Sequence, residues 1–355
     1  MKKGLLILIL LVTVLIIGYV LINRNYNNPE PTDKVNVTDG EVLSEEVVID
    51  KVSKPGSEDI VASQEINTSD IVEAGSEVAP EVDNSIAEVD SSYQVFNPVD
   101  NRIIAFYGNF YSSRMGILGQ YSEPEVLAKL QQVMSEWQIA DPARQTIPAI
   151  HYIASTAQST PTNNGFYTMR MPADQILRAI AMSLKVSGLT ILDLQVGQAD
   201  VLGEVKFIER YLRLPNVHIG LDPEFIMSNG AVPGQRIGTI DAVEINQVVD
   251  YLSQIVTANS LPPKILVLHR FTENMITNVS QIKQTPQVTT IIEMDGWGSP
   301  ALKKSTYQHV ITNDAVLYSG FKIFYGNDLR PPSLRLITPA EILSLSPVPI
   351  YIQYQ

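Results

Sequence analysis

From Tyr93 to the C-terminus the sequence predicts an α/β fold of the (β/α)8 barrel type. Three observations carry this expectation: eight short apolar runs with the composition of strands, segments with helix start and stop signals between them, and a length of about 260 residues, which is the size and rhythm of that fold. The strand candidates are "RIIAFYGN" (102–109), "TIPAIHYIAS" (146–155), "LTILDLQVG" (189–197), "VHIGLDPEF" (217–225), "KILVLHRF" (264–271), "VTTIIEMDG" (288–296), "VLYSGFKIFYG" (316–326) and "PIYIQYQ" (349–355).

The intervening segments are punctuated as helices. "SEPEVLAKLQQVMSEW" opens with Ser122 and has Glu125 three residues on, a capping box. "PADQILRAIAMSLKVSG" has Pro172 at its start and Gly188 past its end, and "DAVEINQVVDYLSQIV" repeats apolar residues near helical spacing at Val243, Val248, Leu252 and Ile255. In "TPAEIL", Thr338, Pro339 and Glu341 read as cap, first turn and box partner. The competing arrangement is an open doubly wound sheet. Its Gly-rich phosphate turn is missing after the first strand, because "FYGNFYSSRMG" contains no G-x-G-x-x-G. A closed ring requires "PIYIQYQ" to pair with "IIAFYG".

The chain before Tyr93 is of two kinds. Gly4 to Ile22 is a run without any charge, preceded by Lys2 and Lys3 and followed by Arg24. It is long enough to span a bilayer, and no small-residue cleavage site follows it, so residues 1–26 are expected to be an uncleaved membrane anchor with the remainder outside the cytoplasm. Residues 27–92 carry 17 Asp and Glu against 3 Lys, with no Trp or Phe. No period persists there, and a disordered acidic linker is expected, about 45 Å end to end as a flexible coil. The formal charge of −13 therefore belongs to the linker. The barrel, residues 93–355, is close to neutral, which argues against a nucleic-acid surface. The absence of Cys excludes disulfides, thiolate metal sites and cysteine nucleophiles.

Strand alternation places the chemistry. In the fourth strand Val217, Ile219 and Leu221 are apolar and face the helices, which turns His218, Gly220, Asp222 and Glu224 into the barrel. Asp193 and Gln195 share a face of the third strand, and Glu293 and Asp295 one of the sixth. His151, His269 and Lys322 join them from the second, fifth and seventh. Carboxylates, imidazoles and a lysine converging at one end of a barrel are unfavourable for stability, and function is the economical reason for them. His218 lies early in its strand and reads as a hydrogen-bonded core residue.

"LDLQVG", "LDPEF", "LVLHRF", "IIEMDGWGS" and "FKIFYGND", in that order and spacing, resemble the signature stretches of a family of uncharacterised bacterial exported or cell-wall-associated barrel proteins, over residues 100–355. The resemblance implies the barrel and brings no established activity. More distantly, the acidic "LDPE" at the end of the fourth strand is similar to barrel glycoside hydrolases such as the lysozyme-type muramidases, whose first-strand Asp has no counterpart in "IIAFYGN".

Three functions compete. The first is a glycoside hydrolase acting on cell-wall or extracellular polysaccharide, with Glu224 as general acid, Asp222 or Asp295 as the second carboxylate, and no cofactor or metal. Substrate contacts would come from Tyr107, Tyr152, Trp297 and Tyr325, beside His151, Asp193, Gln195, His269, Glu293 and Lys322. The second is a metal-dependent deacetylase or phosphodiesterase with His151, Asp193, Asp222, His269 and Asp295 as ligands. The third is a non-catalytic carbohydrate-binding barrel. The chain is expected to be a monomer held to the membrane through residues 4–22, with a polysaccharide or peptidoglycan-like substrate and no nucleic acid as partner.

Overall fold

The structure, a computed structural model, describes residues 94–355 apart from 164 and 315–317. The expected anchor and acidic linker lie outside the described residues. Among the described residues no helix is long and apolar enough to cross a membrane.

Eight parallel strands form the barrel: β1 (Asn101–Gly108), β2 (Gln145–Ala157), β3 (Leu189–Leu194), β4 (Val217–Leu221), β5 (Lys264–Arg270), β6 (Val288–Met294), β7 (Ser319–Ile323) and β8 (Tyr351–Tyr354). Each pairs with the next in the chain, and β8 closes the ring by pairing with both β7 and β1. Ile352 sits opposite Phe321 on one side and Ile104 on the other. A short strand, Thr168–Arg170, runs antiparallel to the end of β2.

The helices start where the sequence places their caps. In α1 (Glu123–Ala140) the Ser122 backbone N–H donates to Glu125 Oε2 at 2.9 Å, and Val126, Leu130, Val133 and Trp137 form the buried stripe. Next come α2 (Ala173–Leu184), α3 (Val201–Phe207) and α4 (Ala242–Asn259), which opens on the capping pair Asp241 and Glu244. After β6 and β7 follow α5 (Pro300–Tyr307) and α6 (Pro339–Leu343), the latter boxed by Thr338 and Glu341. The regular alternation breaks once. Between β5 and β6 the chain makes no α-helix: it forms the 3-10 turns Glu273–Met275 and Val279–Gln281, with the two-residue strand Ile276–Thr277, paired with Ile240–Asp241, and the left-handed Asn278 between them. Asn favours such turns over helix interiors.

Two cores result. Between strands and helices lies the larger one, which includes Leu192, Leu194, Ile219, Leu221, Ile292 and Met294. Inside the ring Ile103, Ile147, Leu189, Ile191, Ile265, Val267 and Ile291 fill the lower part. The strand parities read from the sequence hold in β3, β4 and β6. Several strands end before their expected limits, β3 at Leu194, β4 at Leu221, β6 at Met294 and β7 at Ile323. Glu224 therefore does not owe its direction to strand alternation. It sits on a 3-10 turn, Pro223–Phe225, in which Asp222 Oδ1 accepts the Glu224 N–H at 3.2 Å. Pro223 contributes no N–H and fixes its own φ, which ends the strand there.

The Trp137 indole N–H donates to Tyr354 Oη at 2.8 Å, fastening α1 to the closing strand. Trp137→Ala is expected to lower stability by about 3–5 kcal/mol through the cavity it opens, and Trp137→Phe by about 1 kcal/mol through the lost hydrogen bond. Chemical denaturation checks the order of the two.

Candidate active site

Above the apolar filling, the upper inward positions of the strands carry polar groups. Tyr107 comes from β1, His151 from β2, Asp193 from β3, His269 from β5, Glu293 from β6, Lys322 from β7, and Tyr351 and Gln353 from β8. Asp222 and Asp295 follow the last residues of β4 and β6. All of these are buried, and Glu224 is partly exposed at the rim. Of the expected candidates the structure thus brings together Asp222, Glu224, Asp295, Tyr107, His151, Asp193, His269, Glu293 and Lys322.

The contacts form one network. The Tyr107 hydroxyl donates to Asp193 Oδ2 at 2.9 Å. His269 Nδ1 lies 3.0 Å from both Glu293 Oε2 and Asp295 Oδ2. Lys322 Nζ reaches the two Asp295 oxygens at 3.1 and 3.2 Å and stands 4.1 Å above the centre of the Tyr107 ring. His151 Nδ1 is 2.6 Å from Tyr351 Oη. Gly220 makes room for the network: a Cβ there would fall 2.5 Å from Asp193 Oδ1 and 2.7 Å from His151 Nε2.

Charge is distributed unevenly. Burial disfavours ionisation of Asp295, but Lys322 and His269 outweigh it and hold the carboxyl below its ordinary range. Asp193 behaves likewise, with His269 and His151 overcoming the cost of burial. Burial opposes a proton on His269, yet Asp193 and Glu293 raise it well above the usual imidazole range. His151 is dominated by burial and pushed down to about 4. Asp222 is pushed up to about 7, by burial first and then by Asp193 and Asp295, against the lowering effect of His269. Glu224 retains some exposed surface, but the protein around its carboxyl is dense. Burial, with Asp222 and Asp295 added, lifts it well above the carboxylate range. The mouth thus juxtaposes acids that keep their protons with a carboxylate held ionised, the separation that acid/base chemistry uses.

Other expected residues stand apart. Gln195 turns its Oε1 to the Ala157 N–H at 3.1 Å and serves to fasten the end of β2. Tyr325 has the parity opposite to Lys322 and stacks on Tyr354, with ring centres 5.3 Å apart. Tyr152 faces the helices and stacks on Phe110. Trp297 is partly exposed beneath the Arg330 guanidinium, 5.3 Å away. His218 is a core residue, its Nδ1 accepting the Ile265 N–H at 3.1 Å. Sequence reasoning missed Tyr351 and Gln353, although "YIQY" alternates them against Ile352 and Tyr354. It also missed the buried pair of Lys303 Nζ and Asp328 Oδ2 at 2.8 Å, which lies behind the loops after β6 and β7.

Fold and site together define a (β/α)8 barrel with an ionisable cluster at the C-terminal ends of its strands, the end at which this fold carries its chemistry. No protein-family model matches the chain, and no curated protein matches it.

The Asp222 shift fixes the sign of a pH effect. The unfolded chain releases this proton near about pH 3.9, whereas the folded chain keeps it up to about 7. Stability from the neutral acid is therefore complete below the unfolded value and is lost as pH rises through the folded one. Asp222→Asn cannot ionise, so its stability relative to the unmodified protein is expected to rise between about pH 4 and pH 7 in denaturation curves and to stay level above that. A constant difference would contradict the shift.

Proposed function

We propose that the barrel is a hydrolase of the glycosidase kind, acting on a cell-wall or extracellular polysaccharide. The observation that carries the reading is the Glu224 carboxyl. Among the described residues it takes no hydrogen bond or ion pair, it reaches the rim, and it retains its proton beside Asp222 and Asp295. A carboxylic acid free of structural duty, facing a carboxylate pinned by a lysine, is the pairing that glycosidic cleavage needs. Glu224 would give its proton to the glycosidic oxygen as the bond from that oxygen to the anomeric carbon breaks. Asp295 or Asp222, as carboxylate, would either take the proton of the attacking water or attack the anomeric carbon itself, water then releasing the sugar. The Lys322 ammonium at 3.1 Å favours Asp295 for this role. Polysaccharide is the substrate class because the apolar run Gly4–Ile22 and the acidic stretch after it would tether the barrel outside the membrane within reach of the wall.

A metal-dependent deacetylase or phosphodiesterase is the second reading, favoured by the buried grouping of His151, Asp193 and His269.

Glu224→Gln keeps the size and polarity of the side chain but cannot deliver a proton. It is expected to cut the release of reducing ends from peptidoglycan and other wall glycans by about 100-fold or more, with the unfolding midpoint little changed. Undiminished turnover sinks the role of Glu224, and tight glycan binding without turnover by the unmodified protein supports a binding barrel instead. For the tether, protease added to intact spheroplasts is expected to degrade the barrel. Full protection would place the barrel in the cytoplasm.

A further inference from the structure

Three polar atoms in the network have no hydrogen-bond partner although their side chains are wholly buried: His151 Nε2, Asp193 Oδ1 and His269 Nε2. They point at one another. Asp193 Oδ1 lies 3.5 Å from His151 Nε2 and 3.4 Å from His269 Nε2, and all three atoms fall within 4.8 Å. Charge-assisted hydrogen bonds between such groups are about 2.7–2.9 Å long, so these spacings are too wide for direct pairing. They match the separation of about 3.4 Å between ligand atoms that each sit about 2.0–2.1 Å from one tetrahedral ion.

The outer atoms of the same side chains are already engaged in ways that aim the inner ones. Asp193 spends Oδ2 on the Tyr107 hydroxyl. His269 has Nδ1 hydrogen-bonded to Asp295 Oδ2 at 3.0 Å, the carboxylate–imidazole arrangement that orients a metal-binding histidine. His151 Nδ1 has Tyr351 Oη as an acceptor at 2.6 Å. A half-turn of the Gln353 amide would offer it the otherwise unpaired Oε1 as well. Gly220 keeps side-chain atoms out of the space beside Asp193 Oδ1 and His151 Nε2.

We infer that His151 Nε2, Asp193 Oδ1 and His269 Nε2 bind one divalent transition-metal ion, with Zn²⁺ the best match. Two imidazoles and one carboxylate suit Zn²⁺ and its neighbours, whereas Ca²⁺ and Mg²⁺ prefer sets made only of oxygen. Three protein ligands leave a fourth position for water or substrate. The inference does not depend on the glycosidase reading, because metal binding is measured without any substrate.

The test uses the full chain, stripped with chelator and titrated with Zn²⁺ by calorimetry and with Co²⁺ by visible absorption. One equivalent of either ion is expected to bind, Co²⁺ giving the intense bands of a low-coordinate nitrogen and oxygen site, with Zn²⁺ raising the unfolding temperature and Mg²⁺ leaving it unchanged. Asp193→Asn is expected to abolish the bands, and Asp295→Ala, which removes the hydrogen-bond partner of His269 Nδ1, to weaken binding by about 10–100-fold. Absence of stoichiometric binding by the unmodified protein overturns the inference, as do bands that survive Asp193→Asn unchanged. Should that variant not fold, the Co²⁺ spectrum of the unmodified protein and the Asp295→Ala affinity decide. Glycan turnover that persists in the stripped protein leaves the metal site standing and separates it from the acid/base chemistry at the rim.

Discussion

Everything inside the barrel depends on β8 filling the gap between β7 and β1. Four residues, Tyr351–Tyr354, satisfy the backbone groups of two strands that would otherwise be open edges. Their side chains work on both faces. Tyr351 and Gln353 turn inward to His151, while Ile352 and Tyr354 pack outward against the helical layer, Tyr354 receiving the Trp137 indole N–H. Removing this strand would admit water to the ring, and the interactions among the charged groups there would weaken with the rise in local dielectric.

That enclosure is costly for the groups it encloses. Bringing a lysine, an imidazole and several carboxylates out of water is unfavourable unless each finds a partner in good geometry. The network answers with alternating sign: Lys322 against Asp295, and Asp295 and Glu293 against His269. A second buried pair steadies the frame. Lys303 Nζ donates to the Lys322 carbonyl at 2.7 Å and meets Asp328, which in turn accepts the Gly298 and Phe324 N–H groups at 2.8 and 3.0 Å. The loops beyond Asp295 and Lys322 are thereby tied to each other, so the two ends of the central ion pair are held in register by a pair that never reaches the mouth.

Much of this was legible in the sequence because strands alternate strictly. The contrast between Val217, Ile219 and Leu221 and the residues between them was enough to assign the inner face of β4, and the same reasoning placed Asp193, Glu293 and Lys322. The rule failed where strands end. Glu224 arrives at the mouth by a 3-10 turn, and Gln195, just beyond the last residue of β3, fastens a backbone N–H instead of facing the barrel interior. Tyr351 and Gln353 went unnoticed because Tyr and Gln lack the charge that drew attention to the other positions. The Lys303–Asp328 pair joins a helix to a distant loop, and no periodicity within either segment reports a contact of that sort.

Gly220 has a consequence for how this chain can vary. Its missing side chain is space already used by His151 and Asp193, two residues on neighbouring strands. A larger residue at 220 is compatible with the fold only when 151 or 193 shrinks or turns away, which dismantles the grouping of three. The position therefore acts as a marker in natural variation: chains that retain the histidine and the aspartate should retain the glycine, and the three positions should change together when they change at all.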